Sequence, residues 1–267
     1  ARPGHADYTA FIKYGGFNDF RGGGRFSGRI TATFVMAGAV AKKLLERIGV
    51  EVLAHTIEIG NVVAGDRTVE EIKENTEGNP VRCADTEAVA LMVEAIQMAA
   101  KEGDSLGGTI QCIALNMPPG VGGPVFNTLE GDISKALFAI PAVKAIEFGL
   151  GTAYSKARGY EVNDAYKLER GKITMETNNA GGVLGGISTG MPITCNVTFK
   201  PTPSIRKSQQ TVDIFKMEET ELLIKGRHDP CIVPRAVPVV EGMVAFILAD
   251  HAIRVGMIPK VLGRDIK

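Results

Sequence analysis

Tryptophan is absent from the 267 residues, and aromatic residues of all kinds make up only 6%. That removes most of the material for base-stacking platforms. Net charge is lacking as well, since 30 Lys and Arg are balanced by 30 Asp and Glu. A chain without a basic field has no general attraction for nucleic acid or an anionic membrane surface, and neither is expected as a partner. Cysteine is sparse: Cys83, Cys112, Cys195 and Cys231 stand far apart, with no Cys-x-x-Cys pair and no histidine at zinc-ligand spacing. The pattern predicts a reduced, cytoplasmic chain without a metal. The longest apolar stretch, Val237 to Val255, is interrupted by Glu241, Asp250, His251 and Arg254, so a bilayer span is not expected.

What the sequence has in quantity is apolar material, 45%, and 32 glycines. The first suffices for a core of one large domain or two small ones. Hydrophobic period and end signals predict a helix over 30–48 closed by Gly49 and a strand over 50–59. A further helix should run from a cap at Asp85 or Thr86 to Lys101, followed by a strand over 109–116. The stretch 133–148 is apolar on a helical period but contains Pro141, which predicts two helical pieces meeting at a turn. Strands are expected at 174–177 and 193–199, a shaped glycine loop at 178–186, and a long buried helix over 239–255. Several strands are separated by turns rather than long helices, which favours antiparallel pairing and an α+β fold.

Chemistry concentrates near the start. Arg2-Pro3-Gly4-His5 is followed by Arg21-Gly22-Gly23-Gly24-Arg25-Phe26-Ser27-Gly28-Arg29, which leads into the first long helix. Arginine forks match carboxylate and phosphate, glycines let backbone N–H groups approach the same oxygens, and a helix N-terminus adds positive potential. A small, multiply anionic ligand is the expectation, although solvated surface arginines explain the loop equally well from composition alone. His5 lies in a loop context that favours a proton-transfer role over core packing. His55 and His251, within regular elements, are read as structural. Lys200-Pro201-Thr202-Pro203-Ser204-Ile205 is either a phosphate clamp or a rigid connection. Arg227-His228-Asp229-Pro230 sets a cation, an imidazole and a carboxylate side by side.

Taken in order, Arg-Pro-Gly-His-Ala-Asp, Arg-Gly-Gly-Gly-Arg, Asn-Asn-Ala-Gly-Gly-x-x-Gly-Gly, Lys-Pro-Thr-x-Ser-Ile and Gly-Arg-His-Asp-Pro closely resemble the chorismate synthase family. The resemblance covers nearly the whole chain. It implies a carbon–oxygen lyase of the shikimate pathway that eliminates phosphate and a ring hydrogen from 5-enolpyruvylshikimate 3-phosphate, with reduced FMN required although no net redox change occurs. It further implies a helical layer sandwiched between two antiparallel β-sheets, a homotetramer, and an external flavin reductase. By the same resemblance His5 is the proton donor near the flavin and Asp229 the carboxylate that assists removal of the ring hydrogen. Arg2, Arg29 and Ser27 would hold substrate. FMN contacts would come from Arg25, Phe26, Ser27, Pro141, Ala142, Gly185, Lys200, Pro201, Thr202, Pro203, Ser204, Ile205 and Arg227, several through the backbone.

Some positions depart from the family pattern. Phe26 stands where a serine is usual, Gly28 for alanine, Ile30 for glutamate and Pro141 for an amide side chain, which implies a modified flavin pocket. The family's N-terminal segment, with its Gly-x-Ser-His-Gly motif and second catalytic histidine, has no counterpart in residues 1–267. Taken alone, they are expected to form a core domain of impaired activity that binds flavin or self-associates.

Overall fold

The computed structural model describes residues 1–259 and 261. Its helices are α1 (Asp7–Lys13), α2 (Thr31–Glu46), α3 (Val69–Asn75), α4 (Thr86–Lys101), α5 (Leu129–Phe138), α6 (Gly159–Val162) and α7 (Val233–Arg254). Strands β1 (Glu51–Ile59), β2 (Val62–Val63), β3 (Gly108–Leu115), β9 (Ile193–Phe199) and β4 (Val143–Phe148) form one sheet in the order β2-β1-β3-β9-β4. Three two-stranded antiparallel hairpins complete the described strands: β5 (Tyr166–Glu169) with β6 (Lys172–Met175), β7 (Val183–Leu184) with β8 (Ile187–Ser188), and β10 (Gln209–Asp213) with β11 (Glu218–Leu222). This is the expected α+β class.

Local chemistry explains the elements that match their sequence signals. Asp85 caps α4 by accepting from the Glu87 N–H at 3.0 Å, and Gly103, at φ 71°, turns the chain out of the helix. Along β9 buried residues alternate with partly exposed ones, from Ile193 and Cys195 to Val197 and Phe199. The second half of 133–148 corrects the expectation of two helical pieces. α5 ends at Phe138, Ala142 takes φ 75°, and residues 143–148 form strand β4 rather than a helix. Pro141 supplies no N–H to continue the helix, and residues 143–148 pair beside β9 at the edge of the sheet instead. The glycine loop at 178–186 is also more regular than expected. Its last part enters the β7–β8 hairpin, whose Gly185-Gly186 turn has φ 61° and 80°, a left-handed pair that suits the twist of a tight hairpin.

The chain divides into two compact units. The first comprises residues 1–30, 56–109 and 199–235, and its core includes Ile59, Ile72, Met92 and Phe199. The second comprises, among the described residues, 31–55, 110–198 and those from 236 onward, with Leu45, Ile133, Leu137, Val240, Val244 and Leu248 buried. Within it α2 and α7 cross closely at Gly38 and Gly242, where a Cβ on Gly38 would collide with the Gly242 backbone. Glu241 on α7 accepts hydrogen bonds from Lys42 Nζ and from the Ala54 N–H, which ties α2, α7 and β1 together.

α7 contains the long buried helix expected over 239–255 and starts earlier, at Val233. By length and composition it is long and apolar enough to cross a membrane, but 61% of its most apolar window is buried inside the protein. That burial is the signature of a core helix.

Candidate active site

In the first unit the site is built on a short hub, residues 103–108. The Gly103 carbonyl accepts from the Arg206 N–H at 2.8 Å, and Asp104 pairs with Lys207 at 2.7 Å. Ser105 Oγ donates to the Thr202 carbonyl at 2.7 Å, while the Leu106 N–H donates to the Pro230 carbonyl at 2.7 Å. A Cβ at Gly107 would meet the Phe199 carbonyl and Pro201, so only glycine admits this approach. One turn thus positions both the Lys200–Ile205 segment and the start of the segment after Asp229.

Onto that segment folds the N-terminal motif. Gly4, at φ 69°, lies against Pro203, where a Cβ would come within 2.7 Å of the proline Cβ. Lys200 Nζ donates to the Gly4 carbonyl at 2.7 Å. His5 is clamped at both nitrogens: Nδ1 lies 3.0 Å from the Pro3 carbonyl and Nε2 lies 2.8 Å from Ser204 Oγ. A carbonyl only accepts, so Nδ1 carries the proton and Nε2 of the neutral ring accepts from the Ser204 hydroxyl. Burial pushes the His5 pKa below its ordinary value, the Pro3 hydrogen bond raises it in part, and Arg2 and Lys200 lower it while Asp7 opposes them.

Arg2 is engaged from its own segment. Asp7 receives Nε and Nη2 at 2.8 Å each and the Arg2 backbone N–H at 3.0 Å. The hydrogen bonds from Arg2 hold the Asp7 carboxyl below the usual carboxylate range. One edge of the guanidinium therefore faces Asp7. Arg25 and Arg29 are exposed on single 3₁₀ turns ahead of α2, and Arg227 is exposed as well. None of the three forms an ion pair among the described residues. Phe26 is half exposed, and Ser27 Oγ accepts from the Arg29 N–H at 3.3 Å.

Asp229 accepts from Arg235 Nη1 at 2.9 Å, and His228 Nε2 lies 3.4 Å from the Ile224 carbonyl. The other expected flavin contacts, Pro141, Ala142 and Gly185, belong to the second unit. There the glycine loop is shaped by Asp164, which accepts from Thr177 Oγ1 and from the Asn179 and Ala180 N–H groups at 2.6–2.9 Å. His55 and His251 are buried, as expected of structural histidines, His55 against Gln111 at 3.2 Å and His251 against Asp132 at 2.9 Å. Among the described residues no group of three His, Cys, Asp or Glu is arranged to hold a metal ion.

Sequence reasoning missed the supporting residues. Asp7 had a signal, an acid two residues beyond His5 in the same motif. Ser105 and Arg235 had none, because each reaches its partner only through the fold.

The structure suits the flavin implied by the sequence. Thr202 Oγ1 is buried without a partner, on the very segment expected to contact FMN, and free guanidinium groups stand in the same unit. An unpaired buried hydroxyl together with unpaired cations fits a phosphate-bearing ligand.

A clamped imidazole, a carboxylate and unpaired arginines beside glycine turns suit a ligand that carries several negative charges. A family model described as chorismate synthase matches residues 1–253. The chorismate synthase of Dehalococcoides mccartyi strain 195 is 57% identical over 261 residues, covering 98% of this chain and 72% of that protein. That of Korarchaeum cryptofilum is 55% identical over 253 residues, covering 95% and 70%. A crystal structure of chorismate synthase superposes with a TM-score of 0.78 at 30% identity, covering 94% of this chain and 70% of the other. The chain belongs to the chorismate synthase family. Its function is the family's, that of a carbon–oxygen lyase in the shikimate pathway of aromatic amino acid biosynthesis.

Proposed function

We propose that this chain eliminates phosphate and a ring hydrogen from 5-enolpyruvylshikimate 3-phosphate, with reduced FMN as cofactor, using His5 as proton donor and Asp229 as the carboxylate that assists proton removal. The observation that carries this reading is the clamp on His5, which joins motifs 199 residues apart into one proton-handling unit. When bound, reduced FMN supplies electron density that eases phosphate departure. Thr202, Lys200 and the backbone of residues 200–205 hold the cofactor, with Arg25, Phe26, Ser27 and Arg227 from the same unit. Arg2, Arg29 and Ser27 bind the substrate's carboxylates and phosphate.

The electrostatics suit these roles. His5 is mostly neutral at pH 7, and its burial makes the protonated ring a stronger acid once a proton arrives. Asp229 is oriented by Arg235. The working enzyme is a cytoplasmic homotetramer with the family's helical layer between two antiparallel sheets, and it draws reducing equivalents from an external flavin reductase.

Phosphate release measured anaerobically with reduced FMN tests the reading. Turnover should fall about 10²–10⁴-fold in both His5→Ala and Asp229→Ala, with the circular dichroism spectrum unchanged. Wild-type protein that binds FMN yet releases no phosphate would instead mark a flavin-binding core without catalysis. Light scattering at working concentration checks the tetramer.

A further inference from the structure

Both protonation states of His5 are satisfied where the ring stands, and this follows from the chemistry of its two partners. The Pro3 carbonyl, 3.0 Å from Nδ1, accepts a hydrogen bond from Nδ1–H whichever state the ring is in. The Ser204 hydroxyl, 2.8 Å from Nε2, has two settings. Opposite a neutral ring it donates to Nε2. Opposite an imidazolium it accepts from Nε2–H, and its own hydrogen is then free to turn toward a ligand. Only the hydroxyl rotates between the two. The charged groups near the ring are Arg2 and Asp7 on its own segment and Lys200 on the facing one, and none of them bonds to Nε2.

We infer that Ser204 is the relay through which His5 delivers its proton. This rests on the reading of His5 as proton donor. In the transfer the His5 Nε2–H bond breaks as a new Ser204 Oγ–H bond forms, and the original Oγ–H proton passes to an anionic acceptor atom on the bound ligand. The ring ends neutral, protonated at Nδ1, and the serine hydroxyl ends donating to Nε2. No electrons change hands. The hydrogen bonds in the structure are those of this proton-poor end state, so recharging requires only a proton at Nε2 and the reverse rotation of the hydroxyl. Ser204 is thereby more than a backbone contact in a phosphate-binding segment.

The test uses Ser204→Ala and Ser204→Thr beside His5→Ala, with the His5 imidazole titrated by NMR in ligand-free protein. Removing the hydroxyl deprives the imidazolium of its Nε2–H acceptor, a charge-assisted bond, and deprives the neutral ring only of an ordinary one. The His5 pKa should therefore fall by about half to one pH unit in Ser204→Ala and return in Ser204→Thr. Turnover with reduced FMN should fall about 10–100-fold in Ser204→Ala, with the FMN Kd and the substrate KM unchanged, and recover in Ser204→Thr. If Ser204→Ala does not fold, Ser204→Cys keeps the volume with a much weaker hydrogen-bonding group and should move both readouts the same way.

An unmoved His5 titration, or a loss of turnover that merely follows weaker FMN binding, would overturn the relay. If His5→Ala itself turns over like wild type, it is the reading of His5 that fails, a different outcome from a silent Ser204→Ala beside a crippled His5→Ala.

Discussion

At the scale of single residues, the site depends on partners that restrict each functional group to one job. Arg2 shows this best. Its guanidinium is oriented by two side-chain hydrogen bonds to Asp7, which also accepts from the Arg2 backbone N–H, so its other edge is held in one direction. Asp7→Asn should raise the KM for 5-enolpyruvylshikimate 3-phosphate about 3–10-fold through lost orientation, leaving the FMN Kd unchanged. Steady-state kinetics and flavin titration decide this. A lower KM would show that the carboxylate competes with substrate for the arginine.

Much of this layer could not be seen in the primary structure. Residue types and motif order nominated His5 and the 200–205 segment separately. Their pairing through Ser204 spans 199 positions, and no spacing rule reaches that far.

At the scale of elements, the clearest consequence is the crossing of α2 and α7. A methyl group on Gly38 has no space against the Gly242 backbone, whereas one on Gly242 would meet its nearest atoms, the Gly38 Cα and the Phe34 carbonyl, at 3.4 Å. Gly38→Ala should destabilise by about 1–3 kcal/mol through forced separation of the helices. Gly242→Ala should be neutral, or stabilise by up to about 1 kcal/mol through helix propensity. Thermal or denaturant melts compare the two directly, and equal losses would contradict the asymmetry.

The elements also show where local signals suffice. The start of α4 was legible because its cap is a side chain bonding within two positions, and β9 because one buried face imposes strict alternation. Residues 143–148 were misread because their helical period is weaker than the backbone pairing available beside β9, and only the fold creates that pairing.

At the scale of the whole molecule, pH couples to stability through groups with shifted titrations. Burial pushes the His55 pKa down, with the Gln111 hydrogen bond opposing in part, and burial likewise lowers that of His5. A histidine whose folded pKa is depressed binds fewer protons than its unfolded counterpart. Its contribution is therefore fully present above the unfolded value, about 6.5, and is lost as pH falls toward the folded value. Carboxylates follow at lower pH. Burial raises the Asp85 pKa, but hydrogen bonds from Gly65, Arg67 and Glu87 more than offset it, and its net depression adds a second loss below about pH 3.8. Urea midpoints should accordingly drop between pH 7 and pH 5. The drop should be smaller in His55→Gln, which has no ring to charge, and an identical drop would remove His55 as a contributor.

The amino-acid sequence by itself determined the α+β class, the helices and strands with local caps and periods, and family membership, because each is written in neighbouring residues or in motif order. Tertiary structure alone decided that residues 143–148 are a strand, that Ser105 bonds to Thr202, and that His5 faces Ser204. The reason is physical. Hydrogen bonds between distant segments form only after the chain has paid the entropy of closing long loops, and no local pattern records which segments will meet.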